Sequence, residues 1–325
     1  MKTTSPIPRV VALVTLIALA PFQLAAREGE GWPTATDADL LHALGSIGAK
    51  LDLLQIELEK GTPSQVLVEV RNVQPRHLLH QARTLHQWCA KLNAVYSFQK
   101  PPPVEPQRNV ETTPGDIMAV LDASQGLLGK THRILGLQEN PTAGKTSREE
   151  ALTPEHLFQE ILTLNLKARG LLEGNLVPMD TYQALTRCII YTSHLSSRHR
   201  GFRRVPRIQQ PVDGQTVMDV ASQLLDCHGL VKQLAGIYGA KPMDWSFTRG
   251  AKDRQPGTGE IHDLAVILES DLAYLCLHMG LGTPRREALL SGPKDLAQIS
   301  QRTRYLGQQL ANLLDAEGTN PGTGE

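Results

Sequence analysis

Leucine and isoleucine recur along residues 37 to 60 at Leu40, Leu44, Ile47, Leu51, Leu54 and Leu58. Alternating steps of four and three residues put all six on one side of an α-helix, as a narrow apolar stripe. The same rhythm returns at Ile117, Leu121, Ser124, Leu128, Thr131 and Leu135, and again at Leu296, Ile299, Thr303, Leu306, Leu310 and Leu313. Stripes of this width favour helices that cross at about 20° with their seams buried against one another. Residues 75 to 98, 154 to 173, 178 to 197, 215 to 239 and 259 to 281 carry comparable periodicity, which makes eight predicted helices.

The expected fold is all-α, with antiparallel amphipathic hairpins forming one or two helical bundles. Val66, Val68 and Val70 alternate at period two, but a lone strand has nothing to pair with, so residues 66 to 70 are assigned to a helix. Several starts share one local pattern: Thr62-Pro63, Thr113-Pro114, Thr153-Pro154, Val177-Pro178 and Gly292-Pro293. Threonine caps the helix, proline fits its first position, and a polar or acidic residue shortly after suits the positive helix end. The recurrence points to internal duplication of a helical unit, although these prolines are too unevenly spaced for a regular solenoid.

Three connections are long and rich in breakers: 99–112, 138–150 and 240–258. The first contains Pro101-Pro102-Pro103 and Pro106, and is read as a linker between an N-terminal helical subdomain (37–98) and a C-terminal bundle (113–315). Gly and Pro in residues 316–325 predict a disordered tail. At the other end, Lys2 and Arg9 precede the apolar run Val10 to Ala20, and Leu24-Ala25-Ala26 closes a segment with the form of a secretory signal. That run spans 11 residues, short of the ~20 that cross a bilayer. Cleavage after Ala26 and export to the periplasm or exterior, without a retained anchor, are therefore expected.

Lys plus Arg and Asp plus Glu number 33 each, so no net field draws the chain to nucleic acid. At 4% aromatic residues it is also poor in rings on which bases or sugars would stack. Cys89, Cys188, Cys227 and Cys276 all fall in or beside apolar stripes. In an oxidising compartment they permit up to two disulfides, in any of three pairings, or else act as small core residues.

Arg198, Arg200, Arg203, Arg204 and Arg207 make the strongest charge feature, five guanidinium groups within ten residues. Such planar, bidentate donors suit a phosphate or carboxylate, or a protein partner carrying them. His77, His80, His86 and Cys89 share one helix. At about 100° per residue they point in different directions, so that helix alone cannot surround a metal ion, and no metal or other cofactor is assigned. Glu269-Ser270 matches the Glu-Ser pair that lytic transglycosylases carry on a helix, with the Glu as general acid. The similarity ends at those two residues, since Asp271, Leu272, Ala273 and Tyr274 follow and no Gly-Leu-Met-Gln-like segment lies downstream. Cys-x-x-Cys-His, Gly-x-Ser-x-Gly, His-Glu-x-x-His and phosphate-loop patterns are absent from the sequence. The leading expectation is an exported cell-envelope interaction or scaffold module that meets an envelope protein or an anionic ligand. A ligand- or metal-binding sensory bundle comes second, and an enzyme acting on envelope polymers third.

Overall fold

A computed structural model describes residues 35–61, 68–98, 112–138, 153–172, 177–198, 210–247, 257–282, 284 and 294–318. It is the all-α bundle expected from the stripes: α1 (Asp37–Glu57), α2 (Pro75–Ser97), α3 (Pro114–Leu135), α4 (Pro154–Leu171), α5 (Val177–Ser196), α6 (Val217–Ile237), α7 (Thr258–His278) and α8 (Leu296–Gly318), with two short strands, β1 (Val68–Arg71) and β2 (Asp244–Phe247).

The helix starts explain why the elements begin where they do. Thr36, Thr113 and Thr216 each form a capping box with the aspartate three residues on, Asp39, Asp116 and Asp219. The threonine hydroxyl accepts the N3 amide while the carboxylate accepts the cap amide, so two orphan donors are satisfied and a negative charge sits at the positive helix end. Hydrogen bonds from Thr36 and Thr216 hold the Asp39 and Asp219 carboxyls below the ordinary range. Thr153 caps α4, ahead of Pro154. Helices begin at residues 37, 75, 114 and 154, then at 177, 217, 258 and 296, so the starts recur every 38–41 residues except for one step of 23.

That single short step divides the fold. α1 and α2 each pack on α3 and α4, whereas α5 and α6 each pack on α7 and α8, giving two four-helix bundles with the same neighbour scheme. Within each bundle the helices run parallel. Between α1 and α3, the Gln125 side chain donates to the Ala43 carbonyl and His132 Nε2 to that of Lys50; between α5 and α7, Arg187 meets Glu269 and His194 meets the Leu281 carbonyl. For α2 and α4, Val73 just ahead of α2 pairs with Glu155, and Gln81 with Asn165; for α6 and α8, Cys227 pairs with Thr303, and Tyr238 just past α6 with Glu317. The antiparallel relation expected of neighbours instead holds between the bundles, where His77 faces Asp271 and Trp88 faces His262 across α2 and α7.

Connection length accounts for this. Each helix of 18–23 residues is about 27–35 Å long. Connections of 16–20 residues inside each bundle reach up to about 50–70 Å, enough to return the chain to the starting end. The five residues between α4 and α5 span at most about 18 Å, so α5 has to start near the end of α4 and run back.

Residues 68–71 correct the helical assignment made there from sequence. β1 pairs antiparallel with β2, Val68 opposite Phe247 and Arg71 opposite Asp244. The partner comes from 173–179 residues away, inside a segment that reads as a breaker-rich loop. Val68 and Val70 turn into the core and Glu69 and Arg71 outward, the alternation of a half-buried strand.

The stripe residues form the core: Leu51, Leu54, Leu121, Leu128, Leu224 and Leu306 are fully buried. No described helix is long and apolar enough to cross a membrane. The signal segment 1–26, most of the proline-rich segment 99–112 and residues 319–325 lie outside the described residues; residues 316–318 belong to the last turn of α8.

Candidate functional site

Amphipathic helices bury one face, but α7 is buried almost all round, including Glu260, His262, Asp263, Glu269, Ser270 and Asp271. Its position explains this: the rest of its own bundle covers one side, and α2 of the other bundle covers the opposite one. Burying carboxylates costs heavily unless each is paired. Three are paired, each to a different helix.

Asp263 accepts from Arg169 of α4 at 3.0 Å. Glu269 accepts two bonds from Arg187 of α5, at 2.6 and 2.8 Å. Asp271 pairs with His77 Nε2 of α2 at 2.9 Å. His77 Nδ1 already accepts the Gln74 amide, so the ring proton sits on Nε2 and is donated to Asp271. Outside α7, Lys91 of α2 reaches Asp180 of α5 at 2.6 Å. The seam between the bundles is unequal in charge: Arg76, His77, His80, Lys91 and Arg169 come from the first bundle, and Asp180, Asp263, Glu269 and Asp271 from the second, together with Arg187 and His262. Arg76 also lies over the Tyr274 ring, 3.5 Å from its centroid, and donates to the Lys241 carbonyl.

Burial sets the proton affinities. It pushes the half-buried His80 down to about 4, with Glu269 pulling the other way and Arg187, Arg83 and His77 adding to the shift. His262 is driven well below its ordinary value by burial and then by Arg169, Lys91 and Arg187. Burial raises the Asp263 carboxyl against the pull of Arg169. For Arg187, burial opposes the charge, but Glu269 more than compensates and raises its pKa. His228 is 5% exposed, stacks on Trp245 with centroids 4.6 Å apart, and is lowered to about 4 by burial despite Asp271.

A neutral buried imidazole makes stability pH-dependent in a definite direction. The unfolded chain binds a proton near pH 6.5 and the folded one only near pH 4, so this contribution is complete above pH 6.5 and lost as pH falls towards 4. His228 alone accounts for up to about 3 kcal/mol. Urea midpoints should fall steadily from pH 7 to pH 4.5, and His228→Phe should flatten that slope; an equal slope in the variant would show that His228 is not the group responsible.

The close approach of Arg169 to α7 depends on Gly259, because a methyl there would overlap the guanidinium. Gly259→Ala is expected to displace Arg169 from Asp263 and cost about 1–3 kcal/mol, as overpacking does. Gly229→Ala, where a methyl meets open space in the interior of α6, should instead be neutral or stabilising by up to ~1 kcal/mol. Matching denaturation midpoints for the two variants would contradict the packing at Gly259.

The residues singled out from sequence are dispersed. Among the arginines, Arg198 is exposed just beyond α5, and Arg200, Arg203, Arg204 and Arg207 lie outside the described residues. The four cysteines are buried free thiols. Cys188, Cys227 and Cys276 donate to the carbonyls of Ala265, Thr303 and Tyr191. Burial raises Cys89, Cys227 and Cys276 to about 12 and Cys188 well above its usual value, leaving little thiolate at neutral pH. In α2, His77 goes to Asp271, His80 faces Glu269 and Arg187, and His86 Nδ1 lies 3.4 Å from Ser124 Oγ. No group of three or more His, Cys, Asp or Glu among the described residues is placed to hold a metal ion. Both oxygens of Glu269 accept from Arg187, so this residue presents no proton to a leaving group. An open polar groove of about 450 Å³ runs between α1 and α3, lined by Lys50, Asp122, Gln125, Gly126, Gly129 and Arg133.

The seam itself was not legible as a site. Arg169, Arg187 and Asp263 sit at unremarkable spacings, and the four acids of α7 are no denser than the four of α1. Fold and seam together define a class: a helical protein of two parallel four-helix bundles joined through a buried polar interface. Comparison of the chain with protein-family models, curated proteins and solved structures finds no match.

Proposed function

We propose that the protein is an exported cell-envelope scaffold that works by binding, with the arginine-rich segment 198–207 as the element that meets an envelope protein or an anionic ligand. The observation that carries this reading is the use made of the interior ionisable groups. Asp263, Glu269 and Asp271 are each paired with a cation or imidazole of another helix. They act as struts that fix helix against helix. Arg198, the first residue of that segment, stands exposed at the end of α5.

The test is native mass spectrometry of the protein purified gently from its own cell envelope, compared with a variant in which Arg198, Arg200, Arg203, Arg204 and Arg207 are all Gln. Extra mass in the wild type, lost in the variant while its melting curve is unchanged, is the expected result. Retention of the partner by the variant removes the segment from the proposal. A ligand-binding bundle is favoured by one observation: the buried His228 has no hydrogen-bond partner at either ring nitrogen. A small bound mass that survives the arginine replacements would favour that second reading.

A further inference from the structure

We propose that the contact between the two bundles is an acid-released latch: protonation of His80 and His262 in the seam separates the bundles while each four-helix core stays folded. The geometry of the seam supplies the reason. His80 on α2 faces Glu269 from α7 and Arg187 from α5, with Arg83 and His77 on its own helix. His262 on α7 is set edge-on against Trp88, with ring centroids 5.4 Å apart, and is approached by Lys91 from α2, Arg169 from α4 and Arg187 from α5. The cations around His262 each have a carboxylate of their own, Lys91 with Asp180, Arg169 with Asp263 and Arg187 with Glu269, and at His80 the one acid, Glu269, is already held by Arg187 at both oxygens. A proton gained by either ring therefore adds a charge beside carboxylates that are each already engaged by a cation, and at His262, 4% exposed, it does so out of reach of water.

Acid acts on the other side of the seam as well. Asp263 is among the carboxylates that lose charge early, because its burial raises its proton affinity. Arg169 is then left 8% exposed without its counter-charge, facing a protonated His262. Two imidazoles inside the bundles tolerate protonation. His132 and His194, inside the bundles, donate to the carbonyls of Lys50 and Leu281, bonds that a charged ring keeps. His228, near Lys232, Asp244 and Asp271, also resists protonation, and its titration lowers the stability of its bundle without acting on the seam. The leucine cores carry no charge to titrate. β1–β2 pairing and the short α4–α5 connection remain as tethers, so the predicted change is an opening and not a dissociation.

Small-angle scattering and far-UV circular dichroism, recorded on the same samples from pH 7.5 to pH 4, test the inference. The radius of gyration is expected to rise as pH falls below about 5.5, while helicity holds. A constant radius down to pH 4, or a rise that coincides with loss of helix, overturns the latch. In His80→Gln/His262→Gln the opening should move down by about one pH unit, and an unchanged midpoint overturns the assignment to these two rings. Should that variant fail to fold, Asp263→Asn is read in its place: opening at higher pH is expected, and opening at the wild-type pH contradicts the proposal.

Discussion

Replacing Asp263 by alanine is expected to lower stability by about 3–5 kcal/mol, the range for removing one partner of a buried ion pair. Arg169 is 8% exposed and lies against the first turn of α7, over Gly259, so its guanidinium has no route to water once the carboxylate is gone. The companion experiment separates this penalty from the worth of the pair. Arg169→Met/Asp263→Leu removes both charges and fills the space, and should recover most of the loss, since apolar replacement of a buried pair is often neutral or favourable. Chemical denaturation of the two single variants and the double variant closes the cycle. If the double variant is as unstable as Asp263→Ala, the cost lies in the packing of the seam and not in an unpaired charge.

The second large effect is in the leucine cores. Leu51 of α1 and Leu306 of α8 are both 0% exposed, one in each bundle. Truncation of either to alanine should cost about 2–5 kcal/mol, the spread reflecting how far each cavity collapses. Because the two lie in different bundles, the double variant should show an additive loss. Unchanged melting curves for both single variants would be incompatible with their burial.

The stripes made the helices legible. Leu40, Leu44, Ile47, Leu51 and Leu54 read as one buried face and are one, because local periodicity alone decides which side of a helix meets its neighbours. The small polar members Ser124, Thr131 and Thr303 were placed correctly too, each returning its hydroxyl to the carbonyl four residues earlier and so entering the core satisfied. Repetition was half visible. Proline spacing alone is irregular, since Thr36, Thr216 and Gly257 open helices without proline at the first position. The recurrent feature is the acid or imidazole at the third helical position, Asp39, His77, Asp116, Asp219 and Glu260, which reaches back to the cap amide.

Long-range relations were not legible. Val68–Arg71 needs Asp244–Phe247 to be a strand, and pairing across so much chain leaves no local trace. Helix direction was hidden in connection length: 16–20 residues looked like loops of unspecified purpose, yet they are what parallel packing requires. The seam combines both difficulties. Asp271 and His77 are 194 residues apart in sequence, and their meeting depends on the reversal at α4–α5. The arginine cluster was conspicuous for the opposite reason, as charge density is a purely local property.

Spin labels attached to cysteines introduced at Ala38 and Pro114, both exposed in the first turns of α1 and α3, give the most direct test of the two-bundle account. The buried native thiols remain in place. Neighbouring parallel helices predict a separation of about 15–20 Å between the labels by pulsed dipolar spectroscopy, from interaxial spacing plus the label arms. A separation above about 35 Å, the length of a helix and more, would mean that α1 and α3 run in opposite directions, and would contradict the parallel bundles and the seam that rests on them.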